Sequence, residues 1–94
     1  MYGMIAKMTA VAGRREQLIT LLGEGTRNMP GCLAYIISRD LHDENTVWVT
    51  EAWDSKARHD ASFSLPAVQS VVAKTKPLVA DFSRVAEIGP VFGV

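Results

Sequence analysis

Thr46-Val-Trp-Val-Thr-Glu-Ala-Trp53 runs directly into Asp54-Ser-Lys-Ala-Arg-His-Asp-Ala-Ser62. The first segment is β-branched and aromatic, a composition that suits a pleated, half-buried strand. Side chains alternate along a strand, so Val47, Val49, Glu51 and Trp53 share one side and Thr46, Trp48, Thr50 and Ala52 the other. Ser55 has the hydroxyl to cap a short helix reaching roughly Ser62. A carboxylate and an indole thus point the same way from a strand end, with an imidazole, His59, on the helix that follows. Such a group can line a pocket or fill a core.

Working back towards the N-terminus, Asp40 to Asn45 is a polar turn, and Cys32 to Arg39 is a strand. That strand places Leu33, Tyr35 and Ile37 on one side and Ala34 and Ile36 on the other. The short connection makes it a hairpin partner of Thr46–Trp53. Tyr2 to Val11 reads as a first strand, broken at Ala12-Gly13. From Arg14 the period becomes helical through Leu18, Leu21, Leu22 and Gly25, with Met29 extending the stripe until Pro30-Gly31.

Towards the C-terminus, Pro66 suits the first turn of a further helix whose buried stripe is Val68, Val71 and Val72, continued by Thr75. Pro77 stops it. Phe82 to Ile88 is the last strand, ended by Gly89-Pro90, and an apolar tail follows from Val91 to Val94. The order strand, helix, strand, strand, broken helix, strand predicts an α+β ferredoxin-like βαββαβ sandwich over residues 1–94, with a four-stranded antiparallel sheet and helices on one face. Neither side of the first or third strand is polar enough to face water. This points to a homodimer formed through the open sheet face.

Composition narrows the function classes. The chain has 94 residues, enough for one small domain, with 10 basic and 10 acidic side chains and a formal net charge of zero. A neutral chain with no basic, aromatic-interleaved stripe argues against nucleic-acid binding. Cys32 is the single cysteine, so neither an internal disulfide nor a cysteine-cluster zinc site is available. No signal-like start and no membrane-length apolar run is present, and the expected setting is cytoplasmic, with no membrane partner.

Three stretches together resemble the antibiotic biosynthesis monooxygenase family: Val11-Ala-Gly-Arg-Arg-Glu-Gln-Leu18, Met29-Pro-Gly-Cys-Leu-Ala-Tyr35 and Glu51-Ala-Trp-Asp-Ser55. The last runs on through His59-Asp-Ala-Ser62 and Leu65-Pro66. The resemblance implies a dimeric α/β barrel with a pocket between each sheet and its helices. It also implies oxygenation of quinols or polyhydroxylated aromatics without flavin, metal or haem. An electron-rich phenolate held in an apolar pocket passes an electron to oxygen, and the protein supplies the cavity, a base and an anion-stabilising group.

The chain departs from the family pattern at several positions. Val49 stands where aromatic-polyketide oxygenases carry an asparagine, and His59 where some carry a tyrosine. Phe63 stands where the haem-degrading branch places its ligand histidine, and that branch's first-strand asparagine is also missing. Haem degradation is therefore disfavoured.

Against this background the residues divide into candidates. His59 is the first candidate for proton acceptor, since imidazole titrates near neutrality. A helix histidine bonded to Asp60, or simply solvated, is the structural alternative. Glu51 is the second candidate, against the alternative of a carboxylate held by a backbone amide or an arginine. Trp53, Met4 and Phe63 would hold an aromatic ring, with Met8 and Met29 as adaptable lining or core. Tyr35 and Arg39 share a strand face that suits a dimer interface better than a ligand contact, and Tyr35 is kept as a candidate ligand contact. Arg27, Asn28 and the turn residue His42 read as solvated. The expected ligand is a small aromatic or quinol-like molecule. The alternative is a non-catalytic binding or sensing dimer using the same pocket.

Overall fold

The alternation in Thr46–Trp53 resolves into strand β3, which lies inside a four-stranded sheet. The computed structural model describes residues 1–93; Val94, the end of the apolar tail, lies outside them. In chain order the elements are β1 (Tyr2–Ala10), α1 (Arg15–Gly25), β2 (Cys32–Arg39), β3 (Thr46–Trp53), α2 (Lys56–Ala61), α3 (Pro66–Thr75) and β4 (Val79–Ile88). Single 3-10 turns, Ser62–Ser64 and Lys76–Leu78, join α2 to α3 and α3 to β4. The sheet order is β2-β3-β1-β4, with every neighbouring pair antiparallel. This is the ferredoxin-like βαββαβ topology.

Register decides which side chains meet. Met4 lies opposite Glu51, Ala6 opposite Val49 and Tyr2 opposite Trp53. On the other flank of β3, Tyr35 lies opposite Glu51 and Ile37 opposite Val49. These residues share the face that the helices cover. Val47, Val49 and Trp53 are fully buried there with Leu18 and Leu22 of α1 and Val68 and Val71 of α3. The opposite face carries Ile5, Lys7, Trp48, Ala52 and Ile36 and has no layer over it among the described residues; Ile36 is 54% exposed.

Local chemistry explains the helix ends. Ser55 Oγ accepts the Arg58 amide at 3.2 Å, capping α2 as its sequence predicts. Pro66 opens α3, where a missing N–H costs nothing. Gly25 sits where α1 crosses α3. A Cβ there would overlap Val71 Cγ2 and stand 2.9 Å from Val71 Cβ, so the glycine permits the close approach.

Four expectations need correction. Helix α1 stops at Gly25 rather than continuing to Met29. Thr26 Oγ1 closes its last turn by donating to the Leu22 carbonyl at 2.7 Å, and Asn28 (φ +58°) and Gly31 (φ +81°) then reverse the chain. Met29 remains buried from this loop. Strand β4 begins at Val79 rather than Phe82, because Val79 pairs with Ala10 at the end of β1. Leu33 does not share a face with Tyr35: a register shift between Cys32 and Ala34 leaves it exposed. Val72 is half-exposed rather than part of the buried stripe of α3.

Candidate functional site

A cavity of about 580 Å³ lies between the covered sheet face and α3. Its volume falls within the ordinary range for small-molecule sites. Met4, Ala6 and Met8 of β1, Tyr35 of β2 and Val49 of β3 form its sheet side. Val68, Val71 and Phe63 close it from the helix side, and Phe82 and Arg84 of β4 stand along its edge. The lining is overwhelmingly apolar. Glu51 is its buried carboxylate; the other polar members are Thr26, Thr75, Lys76, Asp81 and Arg84.

The sheet presents Glu51 to this cavity by simple alternation, two residues before Trp53. Glu51 is only 7% exposed. Trp53 donates its indole Nε1–H to Glu51 Oε1 at 3.0 Å within the core. Burial pushes the Glu51 carboxyl above the ordinary carboxylate range; the Trp53 hydrogen bond, then His59 and Arg84, oppose that rise. The result is a carboxylate more basic than one at the surface. Its bond to Trp53, rather than to an amide or arginine, fixes its orientation.

His59 is 1% exposed, and it lies outside the cavity lining. It sits in an aromatic enclosure, with ring centroids 5.1 Å from Tyr2, 5.6 Å from Trp53 and 5.4 Å from Phe63. The contacts with Trp53 and Phe63 are edge-on. Its Nδ1 lies 2.9 Å from Asp60 Oδ1, and its Nε2 lies 3.9 Å from Glu51 Oε1. The His59 hydrogen bond, followed by that of Lys56, holds Asp60 below its ordinary value, so Asp60 is ionised near neutrality.

The structure therefore brings Met4, Tyr35, Glu51 and Phe63 together around one cavity and sets Trp53 and His59 behind them. Trp53, 0% exposed, orients Glu51 rather than forming wall. Tyr35 faces the cavity, on the opposite side of the sheet from the open face, so the interface assignment considered for it does not fit. Arg39 shares that side and holds Glu16 of α1 through its Nε at 3.0 and 3.1 Å. Burial, then Glu51 and Cys32, push the Tyr35 phenol up, and burial first, then Glu51, pushes up the Cys32 thiol. Tyr35 thus keeps its phenolic proton, and Cys32 carries no activated thiolate.

Arg84 was missed from the sequence. It is one of several charged residues on an ordinary-looking last strand, and only pairing in the sheet brings it to the cavity and close enough to influence Glu51. The turn around His42 has a structural role instead. Asp40 accepts the amides of His42 and Asp43 and the Trp48 indole N–H at 2.8 Å, which holds its carboxyl down at about 2. No cluster of three or more His, Cys, Asp or Glu suited to a metal ion occurs among the described residues. No helix among them is long and apolar enough to cross a membrane.

Similarity to known proteins follows the same lines. No curated protein matches the chain. A crystal structure from Chloroflexus aurantiacus J-10-fl, carrying the antibiotic biosynthesis monooxygenase designation, is 46% identical over 99% of this chain and 95% of its own, with a TM-score of 0.96. A Deinococcus radiodurans structure of the same designation is 26% identical over 100% of this chain and 96% of its own, with a TM-score of 0.82. A Pseudomonas aeruginosa protein at 21% identity covers 97% of this chain and 94% of its own with a TM-score of 0.83, a likeness of fold alone. The family profile for antibiotic biosynthesis monooxygenase matches residues 1–74, which carry β1 to α3 and the buried carboxylate. By that match and the 46% identity across the whole fold, the chain belongs to the antibiotic biosynthesis monooxygenase family.

Proposed function

We propose that this protein is a cofactor-independent monooxygenase that oxidises a quinol or polyhydroxylated aromatic with molecular oxygen. The observation that carries the reading is Glu51: one buried, basic carboxylate, oriented by Trp53, facing a mostly apolar cavity. Glu51 takes a proton from a bound hydroxyl, and the resulting phenolate transfers an electron to O2. The superoxide and aryl radical combine to form a C–O bond at a ring carbon. The O–O bond then breaks as that carbon loses its hydrogen as a proton, giving a new carbonyl and water. For a simple hydroquinone the balance is hydroquinone plus O2 to hydroxyquinone plus water. Met4 and Phe63 flank the ring, Tyr35 donates to an oxygen, and Arg84 supports the anionic intermediates.

Apolar walls favour this chemistry, since they exclude water from the phenolate and from reduced oxygen. The open sheet face supports a homodimer, which would cover Ile36 and its neighbours and double the core. A cytoplasmic setting keeps the unpaired Cys32 reduced. The test is oxygen uptake with a panel of quinols and phenols. Uptake that depends on the protein and is lost in Glu51→Gln is the expected result, and an inert panel refutes the reading.

A second reading, a binding or sensing dimer without chemistry, draws on one observation: the imidazole lies outside the cavity lining. Saturable binding of a quinol with no oxygen uptake would select it.

A further inference from the structure

Asp60, His59 and Glu51 form a line from solvent to the cavity. Asp60 is 54% exposed at one end, His59 is enclosed in the middle, and Glu51 meets the cavity at the other end. An ionised carboxylate only accepts hydrogen bonds, so the 2.9 Å contact with Asp60 places the ring hydrogen on His59 Nδ1. Nε2 then presents its lone pair towards Glu51 Oε1, 3.9 Å away. A movement of about 1 Å brings that pair into hydrogen-bond range, and such contacts commonly tighten only when a ligand is bound. A histidine serving only as core filler would not need a carboxylate beside each nitrogen.

The other groups around the ring leave this line intact. Tyr2 of β1, Trp53 of β3 and Phe63 of the following turn meet the ring through aromatic contacts. Lys56 is held by Asp60 Oδ2 at 3.0 Å. Glu87 and Arg84 of β4 act on Tyr2, and Arg84 also acts on Glu51 from the cavity edge.

The monooxygenase reaction moves two protons, one from a hydroxyl and one from a ring carbon, onto the oxygen that leaves as water. Glu51 alone holds one. We propose that His59 is a positioning residue that acts through Glu51 as its proton reservoir, with Asp60 setting the tautomer; this rests on the reading of Glu51 as the base. Glu51 takes the hydroxyl proton as the substrate O–H bond breaks, then passes it to Nε2, whose lone pair forms the new N–H bond. His59 becomes an imidazolium between two carboxylates, and Glu51 is again free to take the ring-carbon proton. Both protons return by the same path to the departing oxygen, and His59 regains its starting tautomer. His59 never touches the substrate.

Two measurements test this. Nitrogen-15 NMR of the ligand-free protein is expected to show His59 with its hydrogen on Nδ1 and an unprotonated Nε2. A hydrogen on Nε2 overturns the reservoir and leaves Glu51's own role intact. In steady-state oxygen uptake, His59→Gln is expected to lower kcat about 10- to 100-fold with little change in KM, below the typical effect of a direct general acid–base group because His59 acts through Glu51. Its pH profile should lose one ionisation. Asp60→Ala, a surface change that leaves the core intact, should lower kcat in the same direction while shifting the tautomer. Wild-type kcat and pH profile in either variant overturn the proposal while the monooxygenase reading stands. No uptake by the wild-type protein removes both together.

Discussion

Gly25→Ala probes the contact that shapes the cavity's helix wall. The new Cβ would overlap Val71 Cγ2 and lie 2.9 Å from Val71 Cβ and 3.4 Å from the Ala67 carbonyl oxygen. Overpacking of this kind costs about 1–3 kcal/mol. Replacing glycine by alanine in a helix returns at most about 1 kcal/mol, and less here because Gly25 is the last residue of α1. The net is a loss of about 1 kcal/mol, a fall in Tm of roughly 4–8 °C for a domain of this size. Val71 can yield towards the cavity, which it also lines. The strain is therefore relieved by pushing Val71 inward, and ligand affinity falls together with Tm. Thermal unfolding and ligand titration of Gly25→Ala, Val71→Ala and the double variant check this. The two changes should be coupled by about 1 kcal/mol, with the double variant more stable than the sum of the singles predicts. A Gly25→Ala protein with a raised Tm would show that helix propensity outweighs the contact, and would refute the packing argument.

Other expectations follow from the titrating groups and the open face. Because burial raises Glu51, its contribution to stability is full below its ordinary value of 4.5 and is lost as pH rises through the raised value. Glu51→Gln should therefore unfold at a higher temperature than wild type near pH 7 while losing oxygen uptake, with the gap closing by about pH 4; a less stable variant at pH 7 contradicts this. Asp40 behaves oppositely. Its carboxyl is held at about 2 against an ordinary 3.8, so its stabilising effect is present above 3.8 and lost as pH falls towards 2. Asp40→Asn should be less stable than wild type at pH 7 and nearly equal to it by about pH 2, as read by denaturant unfolding; an equal deficit at both pH values would sink the assignment. Ile36→Glu, on the uncovered face, should convert the proposed dimer into a folded monomer, measured by light scattering with circular dichroism; an unchanged mass would remove that face from the interface.

Several features of the site were legible in the chain because they depend on local rules. Alternation in Thr46–Trp53 placed Glu51 and Trp53 on one side, and the hairpin with Cys32–Arg39 brought Tyr35 to the same carboxylate. The Ser55 cap and the Pro66 start followed from hydrogen-bonding chemistry at helix ends. Misreadings occurred where a strand partner or a local hydrogen bond overrode the pattern. Pairing with Ala10 extended β4 back to Val79, the bulge after Cys32 turned Leu33 outward, and Thr26 closed α1 before Met29 could join it.

The amino-acid sequence by itself determined the order of elements, the family, and the cluster Glu51, Trp53 and His59, because strand period, helix caps and turn residues act over a few positions. Only the tertiary structure decided which member of that cluster meets the cavity. Alternation orders side chains along one strand but cannot say how deep a neighbouring helix buries its own. Packing of α2 against β1 and β3 seats His59 among Tyr2, Trp53 and Phe63, behind the carboxylate it faces. Pairing of β1 with β4 brings Arg84 to the same cavity from 33 residues away in the chain.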